Sequence, residues 1–168
     1  MQATFRRGIE SSGLLQYHHS SGTIDACQRA PLACIHAAAA RGIMFEVTVE
    51  DSFAAGHYLR NYKGKCENPH GHNYKIRVTL TGAELDKAGL LLDFKDLREV
   101  MKHVIERLDH QMINEIEPFT VINPSAENLA KYFYDESNTR LQSVTSGRVR
   151  VKDVTVFETD TTTAKYSE

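Results

Sequence analysis

Residues 73–82 read NYKIRVTLTG: Tyr74, Ile76, Val78 and Leu80 alternate with Lys75, Arg77, Thr79 and Thr81 until Gly82 ends the run. Alternation with a period of two predicts a strand with one buried face. On its N-terminal side, Phe45, Val47 and Val49 alternate with Glu46, Thr48 and Glu50, and Phe53 keeps the phase, so residues 44–57 predict a second half-buried strand. The segment between them, residues 58–71, is rich in turn residues, and the two strands read as an antiparallel ribbon.

On the C-terminal side, Asp93 stands where a helix N-cap belongs, followed by Phe94, Leu97, Met101, Val104 and Leu108 at spacings of three and four. Ser125 in NPSAEN caps a second predicted helix over residues 126–137, burying Leu129, Ala130 and Phe133. Val149 and Val151 share one phase and Val154 and Val156 the other, which predicts a strand over 148–159 with a bulge near Lys152 and Asp153. A short strand over 162–167 completes the pattern. The order strand, strand, helix, helix, strand, strand indicates an α+β fold, a four-stranded antiparallel sheet with both helices on one face.

A chain of 168 residues with 41% hydrophobic residues supports a single core. A formal charge of −2 gives no basic surplus for nucleic acid or an acidic membrane, and no apolar run is long enough to span a bilayer. A small-molecule ligand is the expected partner. Three cysteines do not make a disulfide framework and fit a reducing, cytoplasmic setting. Residues 1–43 show no sustained period and read as a loosely ordered or mis-assigned extension, with Met44 as an alternative start and 44–168 as the domain. Arg6 and Arg7 lie too far from PLACIHAAAA for a signal peptide, and Cys27, Cys34, His18, His19 and His36 match no zinc spacing.

The chemistry concentrates in CENPHGHNY, residues 66–74. In an extended segment His70 and His72 point to the same side, and His57, at the end of the partner strand, approaches the same point. Three neutral imidazoles suit Zn²⁺ and leave one coordination position open. Cys66 is either a fourth ligand of a closed structural site or a thiolate beside the ion, and spacing does not choose between them. Glu67 reads as a base, a partner of an imidazole, or a solvated loop charge. Asp109-His110 reads as a helix-end pair or as an acid/base histidine held by a carboxylate. Glu127 lies in the first turn of the second helix. Glu158 follows Val156-Phe157, where a carboxylate gains nothing from packing and suits a guanidine-like ligand edge.

FAAGHYL, CENPHGHNY, LLLDFKDL, LDHQMIN, PSAENLA and FETDTTTAKY occur in that order over residues 44–168. Together they resemble the 6-pyruvoyl-tetrahydropterin synthase family, and within it the bacterial branch that forms 6-carboxy-5,6,7,8-tetrahydropterin for queuosine biosynthesis. The resemblance implies a T-fold whose subunits join sheets into a barrel, commonly as a homohexamer of two trimers, with active sites between subunits. It implies His57, His70 and His72 as zinc ligands and Cys66 as the catalytic cysteine. Asp109 and His110 would complete the proton-transfer set from a neighbouring subunit. Glu158 would anchor the pterin, helped by Ser125, Ala126 and Glu127.

The implied substrate is 7,8-dihydroneopterin triphosphate, cleaved to the 6-carboxy product with loss of acetaldehyde and triphosphate. Alternatives are the pyruvoyl-forming reaction and a dual, folate-type activity giving 6-hydroxymethyl-7,8-dihydropterin. Cysteine three residues before HGH is the queuosine-type pattern and glutamate two before it the folate-linked one, and Cys66 and Glu67 satisfy both. A non-catalytic, zinc-stabilised pterin-binding module is the alternative of another class.

Overall fold

The computed structural model describes residues 44–168 together with Gly42. The expectations for residues 1–43, a loose extension with scattered Cys and His, otherwise lie outside the described residues. Strand β1 (Phe45–His57) pairs antiparallel with β2 (His70–Gly82), β2 with β3 (Arg150–Phe157) and β3 with β4 (Thr163–Ser167). The sheet order is β1-β2-β3-β4. Helices α1 (Phe94–Leu108) and α2 (Ala126–Thr145) lie between β2 and β3 in the chain. The α+β arrangement is the one that the alternation patterns predict.

The ribbon register pairs Phe53 with Tyr74, Ala55 with His72 and His57 with His70. Residues two apart share a face of a strand, so the phase that buries Phe53, Tyr74, Ile76 and Val78 in the core also carries the three histidines at its end. Phe53 stacks on Tyr74 at 5.1 Å between ring centroids and meets Phe133 of α2 at 5.8 Å. The helices close this core with Leu97, Met101, Val104 and Leu108 from α1 and Leu129, Phe133 and Leu141 from α2.

The bulge is where the valine phases place it. Thr79 opposes Asp153 while Leu80 opposes Val151, which leaves Lys152 as the extra residue of β3. This shift buries Val151 and Val154 alike. Asp93 caps α1 by accepting from the Lys95 N–H at 2.8 Å.

Three expectations need correction. Phe94 is 59% exposed, because at the first helical position it lines a shallow groove beside Phe45 and Leu91 instead of entering the core. Helix α2 runs to Thr145, beyond the predicted 137. Ser137, Asn138 and Thr139 favour turns in isolation, but here Ser137 and Leu141 are fully buried, continuing the stripe, and the Thr139 hydroxyl donates to the Asp135 carbonyl at 2.9 Å. Strand β2 begins at His70, so His70 and His72 stand on the ladder itself and not in the loop before it.

Candidate metal centre and substrate pocket

Pairing at the end of the β1–β2 ribbon brings His57, His70 and His72 together. Each presents a ring nitrogen, and the three nitrogens lie within 4.8 Å of one another. Gly71 permits this closeness of strands, since a Cβ there would stand 3.3 Å from the Ala55 carbonyl oxygen. His57 is 1% exposed.

The outward nitrogens are already occupied. His57 Nδ1 lies 2.8 Å from the Pro124 carbonyl oxygen, and His70 Nδ1 lies 2.8 Å from the Asn68 carbonyl oxygen. A carbonyl only accepts, so each Nδ1 carries the proton and donates, and each Nε2 keeps its lone pair. The Nε2 atoms of His57 and His72 are buried without a hydrogen-bond partner among the described residues. Leaving such an atom unpaired costs on the order of 1–3 kcal/mol, and a cation among three convergent imidazoles offsets that cost. Burial above all holds the His57 pKa below the ordinary histidine value, which favours the neutral, metal-binding ring. The donor set therefore fits a divalent metal ion with an open coordination position.

Tyr74 packs against two of the histidines. Its ring stands edge-on to His57 at 5.8 Å and to His72 at 5.5 Å, and burial, aided by Glu158, pushes its hydroxyl pKa well up, so the hydroxyl stays neutral.

A cavity of about 270 Å³ opens beside the histidines, lined by His57, Cys66, Ser125, Ala126, Glu127 and Glu158, with Leu59, Tyr62, Thr162, Thr163 and Ala164. Glu158 Oε1 lies 3.3 Å from His57 Nε2 and 3.7 Å from His72 Nε2. The turn after β3 holds it there, with the Glu158 N–H donating to the Thr162 carbonyl at 3.1 Å. Ser125 caps α2 by accepting from the Asn128 N–H, which points the first turn of that helix into the cavity. Cys66 sits in the short 3₁₀ turn Lys65–Glu67, pinned by its carbonyl to the Leu59 N–H at 2.8 Å. Among the described residues, the converging ligand group is the three histidines and does not include Cys66.

Three candidates stand apart from this cavity. The Glu67 carboxylate accepts from the Tyr62 N–H at 3.2 Å and does not line the cavity. Asp109 and His110 follow α1 and attach to β1: the Asp109 carboxylate accepts from the Ala54 N–H at 3.0 Å, and the His110 N–H donates to the Ala54 carbonyl. Asp109 Oδ2 lies 2.9 Å from His110 Nδ1, and the imidazole is 80% exposed. The Ala54 N–H first, and His110 second, hold the Asp109 carboxyl below the usual carboxylate range. His110 lines a different cavity, with Gly56, Gly71 and His72.

Several groups of the site carry little sequence signal. The Pro124 and Asn68 carbonyls, which meet two of the histidines, have no side-chain signature. Of the cavity lining, Tyr62 belongs to no chemical pattern, Leu59 enters FAAGHYL as an apolar residue only, and Thr162 and Thr163 lie in FETDTTTAKY after Glu158.

Comparison with known proteins agrees with this geometry. Residues 46–168 match the family model described as 6-pyruvoyl tetrahydropterin synthase. The chain is 32% identical over 124 residues to 6-carboxy-5,6,7,8-tetrahydropterin synthase of Aquifex aeolicus, covering 62% of this chain and 76% of the relative. It is 37% identical over 136 residues to human 6-pyruvoyl tetrahydrobiopterin synthase, covering 72% and 90%. The solved structure of Caenorhabditis elegans 6-pyruvoyl tetrahydropterin synthase superposes with a TM-score of 0.64 at 30% identity, over 75% of this chain and 96% of that one. The chain accordingly belongs to the 6-pyruvoyl tetrahydropterin synthase family, and it is a lyase-type enzyme with that family's T-fold.

Proposed function

We propose that the enzyme holds zinc on His57, His70 and His72 and converts 7,8-dihydroneopterin triphosphate and one water into 6-carboxy-5,6,7,8-tetrahydropterin, acetaldehyde and triphosphate, a step of queuosine biosynthesis. The observation that carries this reading is the convergence of three histidine nitrogens beside a cavity that also holds Cys66 and Glu158. Bound zinc supplies Lewis acidity to the hydroxyls of the substrate side chain. Glu158 accepts two parallel N–H bonds from the aminopyrimidine edge of the pterin. Ser125, Ala126 and Glu127, at the start of α2, hold the ring. Cys66 removes a proton from the side chain, and His110 moves protons between side chain and ring through Nε2, its Nδ1–H being held by Asp109.

Cys66 and His110 line separate cavities of one chain. That separation supports a site completed by the His110 of a neighbouring copy, in a homohexamer built as two trimers.

Product analysis tests the reaction. Zinc-loaded protein given 7,8-dihydroneopterin triphosphate should release acetaldehyde and the 6-carboxy product by mass spectrometry; the absence of both refutes the assignment. Glu158→Gln should raise KM roughly tenfold or more, because it replaces a charged bidentate acceptor by a neutral one. An unchanged KM removes Glu158 from pterin binding.

The 37% identity to the human enzyme supports a second reading, in which reaction stops at triphosphate elimination and internal redox without acetaldehyde. Folate-type cleavage through Glu67 is a third reading, less supported because Glu67 does not line the cavity that holds Cys66 and Glu158. Glu67→Ala should leave the product ratio unchanged, and loss of a 6-hydroxymethyl product in that variant would restore the dual reading.

A further inference from the structure

We infer that Arg60 and Asn123 form a clasp that positions His57 and the α2 end of the pocket, which makes both of them positioning residues of the metal centre. The inference rests on His57 as a metal ligand. Residues 116–124 lead from the Ile113–Glu115 turn to α2 and contain neither helix nor strand. The Ile116 and Pro118 carbonyls are met by N–H groups of the segment itself, whereas the carbonyls of Phe119 and Ile122 are met from outside it. The Arg60 guanidinium supplies both and reaches the preceding turn as well: Nη2 donates to the Phe119 carbonyl at 2.9 Å and to the Asn114 carbonyl at 3.3 Å, and Nη1 donates to the Ile122 carbonyl at 3.1 Å.

The backbone of Arg60 is engaged as well. Its N–H donates to Asn123 Oδ1 at 2.8 Å, and Asn123 Nδ2 donates back to the Arg60 carbonyl at 3.0 Å. The amide of Asn123 thus serves as a strand partner for the chain that leaves β1. Asn128 Nδ2 donates to the Asn123 carbonyl at 2.9 Å, which ties the same point to the first turns of α2.

The next residue is Pro124, whose carbonyl receives the His57 Nδ1 proton at 2.8 Å. Proline has no N–H with which to anchor itself, so the place of that carbonyl is set by the anchored residues before it and by the Ser125 cap after it. The carbonyl in turn fixes the tautomer and the ring angle of His57. Arg60 and His57 lie on one continuous segment, so a single clasp sets both the ligand and the group that orients it. The fork of a guanidinium can serve three carbonyls at fixed angles, whereas a lysine ammonium cannot reproduce that geometry.

Metal-free protein titrated with Co²⁺, read by its visible absorption bands, tests the clasp without turnover. Loss of a partner that orients a ligand typically weakens metal binding 10- to 100-fold. Arg60→Lys and Asn123→Ser, each shown to be folded by circular dichroism, remove the support of that partner and not the partner itself, so they should raise the Co²⁺ Kd by the lower end of that range, about tenfold, and alter the band shape. Lys102→Ala, exposed on α1, should change neither. Asn123→Ser breaks the reciprocal pair without touching the guanidinium, so it reads the clasp even if Arg60→Lys does not fold. Folded clasp variants with wild-type Kd and spectrum overturn the inference. A wild-type protein that gives no Co²⁺ bands, or a His57→Ala variant that binds as tightly as wild type, overturns the histidine site instead.

Discussion

Cys66→Ala is expected to lower kcat by about 10³-fold or more while the protein keeps its metal, the loss expected when the group that makes a proton transfer is removed. The geometry makes the two halves of that result separable. Cys66 lines the cavity beside the histidines, but among the described residues the converging atoms are the nitrogens of His57, His70 and His72. Removing the thiol leaves those nitrogens in place, together with the Pro124 and Asn68 carbonyls that orient two of them. It also leaves the backbone bond from the Leu59 N–H to the Cys66 carbonyl, so the 3₁₀ turn should persist. Single-turnover assays with metal analysis check both halves. Retained turnover removes Cys66 from proton transfer, and lost metal makes it a fourth ligand of a closed site.

How much of this was legible beforehand varies with the physical origin of each feature. The sheet and its bulge were readable because burial imposes a period of two, and the slip between Val151 and Val154 has no other simple cause. The histidine cluster was readable for the same reason: His70 and His72 share the phase of Tyr74, and ribbon pairing brings His57 opposite them. The length of α2 was not, because the turn preference of Ser137, Asn138 and Thr139 is local while the burial that overrides it is tertiary. Exposure of Phe94 is likewise decided by what lies under the first helical turn, about which spacing says nothing.

The groups that orient the histidines were hidden for a different reason. Pro124 and Asn68 act through their carbonyls, and any residue offers one. The separation of His110 from Cys66 is a matter of which cavity each loop lines, and neither motif encodes it.

That separation leads to the second large effect. Cys66→Ala and His110→Ala, each nearly inactive alone, should regain about a quarter of wild-type activity when co-assembled in equal amounts if, as proposed above, each site of a symmetric oligomer draws Cys66 from one copy and His110 from its neighbour. The His110 loop is not placed to swing round to its own Cys66. The Asp109 carboxylate accepts from the Ala54 N–H, the His110 N–H donates to the Ala54 carbonyl, and the Gln111 carbonyl accepts from the Gly56 N–H at 2.9 Å. Met112 adds a parallel bridge to Gly56, where any Cβ would stand 3.1 Å from the Met112 methyl carbon. With its backbone fixed along β1, the imidazole is 80% exposed, with Nδ1 turned to Asp109 and Nε2 left for another molecule. Co-expression of two differently tagged variants, tandem purification of mixed oligomers and a product assay check the expectation. If both residues act within one chain, every chain in the mixture lacks one of them and no activity returns.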